Sequence, residues 1–60
     1  MYKLQITFVG TEGYEDKYFV SEEEAHQTVR NIQSHGGYYL VVNSIESIYR
    51  LVQSMHVLKE

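Results

Sequence analysis

Histidine is the first side chain to consider for chemistry, because three histidines occur in a chain of 60 residues. His26 and His35 are nine residues apart in a segment that we predict to be helical, which places them on opposite sides of the helix. His56 falls on the apolar side of the last segment, where packing is the commoner role. The chain also has no cysteine to bind zinc or to act as a nucleophile. We therefore expect no metal site and no cofactor.

Serines, glycines and carboxylates also lack the context that catalysis requires. Ser44, Ser47 and Ser54 stand in no nucleophile motif, and no glycine is followed by the lysine and hydroxyl of a phosphate loop. The carboxylates of Glu12, Glu15 and Asp16 lie in or next to a predicted turn, and charged turn residues are usually only solvated. The sequence therefore predicts that the protein is not an enzyme.

Tyrosine is the one enriched side chain, with six copies. Tyrosine suits interfaces because it combines a large apolar body with a polar tip at low entropy cost. We consider two interpretations, tyrosines that pack across the sheet and an aromatic binding patch that includes the arginines. The candidate patch consists of Tyr14, Tyr18, Tyr38, Tyr39, Arg30 and Arg50.

One helix has both of its ends marked in the sequence. Ser21 followed by Glu24 forms a capping box, and Gly36 and Gly37 supply a left-handed stop. These signals predict a helix over residues 22–34. Its apolar stripe toward the sheet consists of Ala25, Val29 and Ile32.

Three segments are predicted to be strands. Residues 2–9 alternate between apolar and polar side chains, and residues 14–20 do so less clearly, as edge strands often do. Residues 38–42 are all apolar, which indicates a strand that is covered on both faces or lies in an interface. A right-handed crossover through the helix would place the third strand parallel to the second and beside the first, in the order 2-1-3.

The last segment, residues 44–58, allows two interpretations. As a helix it has a contiguous apolar half, and Asn43 with Glu46 forms a second capping box. As a strand it alternates poorly, although Ile, Tyr and Val favour sheets. The prediction is one small α+β domain over residues 1–60, β-β-α-β-α, with a three-stranded sheet. The alternative is β-β-α-β-β with a C-terminal hairpin.

Length and charge limit the possible partners. The core of a 60-residue chain is small, so we expect a partner to supplement it, with a homodimer as the first choice. A net charge of −3 disfavours direct nucleic-acid binding, and no apolar stretch reaches the roughly 20 residues of a membrane span. Without an export signal we expect a cytoplasmic protein with no membrane contact.

The last segment is the predicted interface, because its apolar arc is wider than one helix needs to pack on a sheet. We predict a small protein-binding regulator or inhibitor of a larger protein, of the kind that phages and mobile elements encode. The alternative is a homo-oligomer that sequesters a small molecule, such as a nucleotide signal, in an aromatic pocket between subunits. The candidate interface residues are Ile48, Tyr49, Leu51, Met55 and Leu58.

Overall fold

Four strands and one helix make up the protein, and the computed structural model describes all 60 residues. In chain order they are β1 (Tyr2–Phe8), β2 (Tyr14–Phe19), α1 (Glu22–Ser34), β3 (Tyr38–Val42) and β4 (Ser47–Lys59). The strands form an antiparallel, curled sheet in the order β2-β1-β4-β3, and α1 packs on one of its faces. The prediction of a small α+β domain is confirmed.

The core lies between β1 and α1. Leu4, Ile6 and Phe8 alternate along β1 and are buried, and Ile32 and Ala25 of the helix are buried opposite the sheet. β1 is an interior strand, with β2 on one side and β4 on the other. The apolar positions in the alternating pattern of β1 are thus the ones that face the core.

Both ends of α1 form as the sequence predicts. The hydroxyl oxygen of Ser21 accepts a hydrogen bond from the Glu24 backbone N–H at 3.2 Å. At the other end the Gly37 N–H donates to the Ile32 carbonyl at 3.0 Å, and Gly36 and Gly37 have φ values of +77° and +83°. These are the features of a Schellman stop, which needs residues without a Cβ.

The predicted C-terminal helix is wrong, because the last segment is the 13-residue strand β4. Its second half pairs with β1 and its first half pairs with β3. The alternative prediction, β-β-α-β-β with a C-terminal hairpin, has the observed order of elements. The physical reason is that β4 completes the core, since Val57 and Met55 lie opposite Leu4 and Ile6 and pack against the buried cluster.

A bulge explains why the alternation of β4 is hidden in the sequence. Thr7 pairs with Ser54 but Phe8 pairs with Val52, so Gln53 is an extra residue on β4. On the helix side of the sheet, β4 therefore has even-numbered residues before the bulge and odd-numbered residues after it. The side chains on the helix side are consequently Ile48, Arg50 and Val52 before the bulge, and Met55 and Val57 after it.

Asn43 closes a turn instead of capping a helix. Its side-chain oxygen accepts hydrogen bonds from the backbone N–H groups of Ile45 and Glu46, both at 2.8 Å. Its own N–H donates to the Glu46 carbonyl at 3.0 Å, which joins β3 to β4. The same acceptor positions serve an N-cap and an Asx turn, so the sequence signal does not distinguish them.

The predicted strand order 2-1-3 is also wrong. A strand has two sides, and β2 and β4 occupy both sides of β1. β3 therefore pairs with β4, runs antiparallel to it and forms an edge of the sheet. The helix carries the chain from one edge of the sheet to the other, and the hairpin between β3 and β4 brings it back to the centre.

Candidate functional site

The hairpin of β3 and β4 has apolar side chains on both of its faces. Tyr39, Val41 and Val52 pack against the core on the helix side. Residues that pair across antiparallel strands share a face, and successive residues alternate, so the other apolar side chains of the hairpin lie on the opposite face of its two strands. We call this set the exposed hairpin face. It consists of Tyr38, Leu40, Val42, Tyr49 and Leu51.

The exposed hairpin face is accessible to solvent in the single chain. Val42 and Tyr49 are 66% and 65% exposed, and even the least exposed members retain 41%. No member carries a charge. Ile45, in the turn at the tip of the same hairpin, is 91% exposed. Contiguous apolar surface of this kind marks interaction sites in soluble proteins.

Polar side chains occupy the middle of the same side of the sheet. Lys3, Gln5 and Thr7 of β1 lie there beside Ser54 and His56 of β4. The hydroxyl oxygens of Thr7 and Ser54 are 2.6 Å apart and share a hydrogen bond. The apolar character is therefore concentrated at the second hairpin and does not extend across the whole sheet.

The structure divides the predicted interface residues between the two sides of the sheet. Tyr49 and Leu51 belong to the exposed hairpin face, and Leu58 lies on the same side at the far end of β4, 42% exposed. Ile48 and Met55 lie on the helix side. The expectation that Met55 would stay exposed does not hold, because it packs against the core and is half-buried.

The candidate tyrosines do not form one patch. Tyr14 and Tyr18 are exposed on β2, at the edge opposite β3. Tyr38 and Tyr39 are neighbours on β3 and therefore point to opposite faces. Tyr39 contributes to the core side, where its ring centroid lies 6.2 Å from that of Phe8.

The two candidate arginines are also separated. Arg30 lies on the outer side of α1, where its guanidinium is 2.9 Å from the Gln27 amide oxygen and 3.4 Å from the Glu23 carboxylate. Arg50 is half-buried on the helix side of β4 and lines a cleft of about 270 Å³ together with Glu12 and Glu15. The glutamates oppose the binding of an anion at Arg50.

A larger groove runs between α1 and β3. Its volume is about 360 Å³, and its lining includes Lys17, His35, Tyr38, Tyr39 and Tyr49. The Nδ1 atom of His35 is 2.7 Å from a helix carbonyl oxygen, that of Asn31. The residues that line the groove thus include one lysine, one histidine and three tyrosines.

Two further ion pairs involve groups outside these clefts. His26 Nε2 lies 3.5 Å from the Glu22 carboxylate, one turn earlier on the helix. The Glu60 carboxylate lies 3.6 Å from the Lys3 ammonium and raises the pKa of Lys3 above its ordinary value. No group of three or more acidic or histidine side chains is placed so that it could hold a metal ion. The single helix is too short and too polar to cross a bilayer.

Sequence reasoning missed two members of the exposed hairpin face, Leu40 and Val42, and the neighbouring tip residue Ile45. A signal for the first two was present, because the strand from Tyr38 to Val42 lacks alternation and the structure covers only one of its faces. Ile45 falls in the apolar half of the helix that the sequence predicts for residues 44–58. In comparisons with known proteins, no protein-family model, no curated protein and no solved structure matched the chain.

Proposed function

We propose that this protein is a small, non-enzymatic binding module that self-associates and acts as a regulator or inhibitor of a larger protein. The supporting observation is the exposed hairpin face, five uncharged apolar side chains on a sheet side that is otherwise largely polar. Soluble single chains rarely leave such a surface open unless another molecule covers it. Phages and mobile elements encode many small proteins that act by blocking a larger protein, and by analogy with them we prefer an inhibitor.

The composition of the face suits a protein partner better than a nucleic acid. Its two tyrosines supply large contact areas at low entropy cost, and aromatic side chains are enriched at the centres of protein interfaces. Basic side chains, which would neutralise phosphates, are absent from the face, and the net charge is −3. The hairpin therefore fits an apolar patch or groove on a larger protein.

The test uses matched tyrosine variants. Tyr49→Thr removes a ring from the exposed hairpin face, and Tyr18→Thr removes a ring of similar exposure, 55%, from the opposite edge strand. A partner identified by cross-linking in the cells that produce the protein is purified and titrated with each variant. We expect Tyr49→Thr to weaken binding about tenfold or more, as loss of a central aromatic contact does, and Tyr18→Thr to leave it unchanged.

Equal affinities of the wild type and Tyr49→Thr for the purified partner would show that another surface makes the contact. Both variants retain β-forming residues, so circular dichroism should show the same strand and helix content in all three proteins. A binding loss in Tyr18→Thr alone would move the proposed site to β2.

A second function is supported by the groove between α1 and β3. Its volume of about 360 Å³ falls within the range of small-molecule sites, roughly 300–1,000 Å³. Three tyrosines could stack on a base, and the Lys17 ammonium could face a phosphate. Neither Arg30 nor Arg50 lines this groove, so a nucleotide would meet fewer cations than the sequence suggested.

Thermal unfolding with a panel of nucleotides tests the sequestering function. A ligand present at 100 times its Kd stabilises a protein by about 2.7 kcal/mol, which would raise the Tm clearly. The sequestering function predicts such a rise for one member of the panel, and its loss in Lys17→Gln. No rise with any nucleotide would exclude this second function while leaving the protein-binding proposal intact.

A further inference from the structure

The edge strand β3 has a defined set of free backbone groups. Val52 donates its N–H to the Gly37 carbonyl, and Asn43 donates to the Glu46 carbonyl, so the odd-numbered residues of β3 bond to β4. In an antiparallel ladder the residues between them direct their N–H and C=O groups to the other side. The backbone groups of Tyr38, Leu40 and Val42 therefore point outward from the sheet edge.

This edge lacks the features that normally prevent strand pairing. Sheet edges are commonly protected by charged side chains, proline or a bulge. β2, the opposite edge, carries Glu15, Asp16 and Lys17, whereas β3 consists of five uncharged residues with no irregularity in its register. The two edges of one sheet thus differ, and β3 is the edge without charged side chains.

We propose that a second copy of this chain pairs with β3 in antiparallel orientation, across a twofold axis at Leu40, to form one continuous eight-stranded sheet. The proposal rests on the self-association included in the proposed function and names its site. Because the outward-facing residues are spaced evenly about Leu40, the axis places Leu40 opposite itself and Tyr38 opposite Val42 of the second copy. In this register all three residues of each copy both donate and accept a hydrogen bond.

The side chains agree with this register. Tyr38, Leu40 and Val42 all belong to the exposed hairpin face, so the pairs would be Tyr38 with Val42 and Leu40 with Leu40. Aromatic pairs with β-branched residues stabilise antiparallel sheets, and an uncharged strand avoids the repulsion that a twofold axis imposes on any charged residue near it. A five-residue edge covers less than the roughly 800 Å² per partner of stable complexes, so we expect dissociation in the micromolar range or weaker.

The pairing also explains how one surface could serve two roles. Edge pairing consumes the backbone groups of β3 but leaves Tyr49 and Leu51, one strand further in, open to solvent. In the dimer the exposed hairpin faces of two copies would adjoin and double the apolar area offered to the larger protein. The second copy therefore enlarges the binding surface and does not compete for it.

Sedimentation equilibrium and NMR test the proposal on the full chain. We expect the wild type to dimerise between about 10 μM and 1 mM, and Leu40→Lys to raise the dissociation constant at least tenfold by placing two ammonium groups at the axis. Tyr18→Lys, the same change of charge class on the other edge, should have no such effect. In a mixed isotope-labelled sample, the register predicts a contact between the α-protons of Tyr39 and of Val41 in the other copy.

A second variant covers the case in which Leu40→Lys does not fold. The 60-residue chain is short enough for chemical synthesis, and N-methylation of Leu40 removes one outward N–H while leaving its side chain and the bonds to β4 in place. The N-methylated protein should be folded and monomeric.

Two results would overturn the proposal, and they are distinguishable. A wild type that remains monomeric at about 1 mM would remove the self-association itself, leaving the binding of a larger protein to be judged by the Tyr49→Thr titration. A dimer that persists in the N-methylated protein and lacks the Tyr39 to Val41 contact would retain self-association and place its interface elsewhere.

Discussion

Ile6 and Ile45 allow the same substitution, Ile→Ala, to be compared at a buried and at an exposed position. Ile6 is fully buried in β1, and Ile45 is 91% exposed in the turn between β3 and β4. Ile→Ala removes three carbons, and each buried carbon contributes about 0.8 kcal/mol, so burial alone gives about 2.4 kcal/mol at Ile6. The cavity left behind adds to this, and the expected loss is about 3–4 kcal/mol. At Ile45 only about a tenth of the side chain is covered, so we expect a loss of about 0.3 kcal/mol or less.

The expected free energy of unfolding of the whole chain decides which variants can be compared. Natural domains have about 0.05–0.15 kcal/mol per residue, or about 3–9 kcal/mol for this chain. Ile6→Ala would therefore remove much of the stability, and Ile6→Val, with an expected loss of about 1 kcal/mol, provides a variant that remains folded. Urea unfolding followed by far-ultraviolet circular dichroism gives the free energies, and thermal unfolding should show Ile6→Val lowered by about 4–8 °C.

The two measurements also bear on function. If Ile45 is kept apolar for contact with a partner, Ile45→Ala should weaken partner binding while leaving the free energy of unfolding within about 0.5 kcal/mol of the wild type. The reasoning would be refuted if Ile6→Val and Ile45→Ala had equal effects on stability at concentrations where the chain is monomeric. Such a result would mean that the structure assigns the core to the wrong residues.

Three further predictions concern stability. Ser21→Ala removes the acceptor for the Glu24 N–H and should lower the free energy of unfolding by about 1 kcal/mol. Gly36→Ala, at a φ of +77°, should lower it by about 1–2 kcal/mol, and Gly36→Asn by less. Urea unfolding of each variant measures these losses, and equal values for the alanine and asparagine variants would contradict the left-handed stop. Because Glu60 raises the pKa of Lys3, the stabilisation from this pair is present below the unfolded pKa of about 10.4 and is lost as the pH rises through the higher folded value. Glu60→Gln should weaken that alkaline dependence, and a pH titration of stability from 9 to about 12 that is identical in both proteins would show that the pair contributes nothing.

The parts of the fold that follow from local chemistry were predictable from the sequence. Ser21 and Glu24 start α1, Gly36 ends it, and the alternation of Leu4, Ile6 and Phe8 defines the core face of β1. Each of these signals depends on contacts between residues near in sequence or on a regular strand period. The lack of alternation in β3 allowed two environments, cover on both faces or an interface, and the single chain covers only one face.

The identity of β4 depended on contacts between distant segments. Its apolar residues fit a helix as well as a strand, because the bulge at Gln53 interrupts the period of two and Asn43 offers the same acceptor to an N-cap and to a turn. The open side of β1 decides between them, since pairing there gives Val57 and Met55 partners in the core. The composition of the exposed hairpin face followed from that choice, because a side chain's face in a sheet depends on its register with a strand elsewhere in the chain.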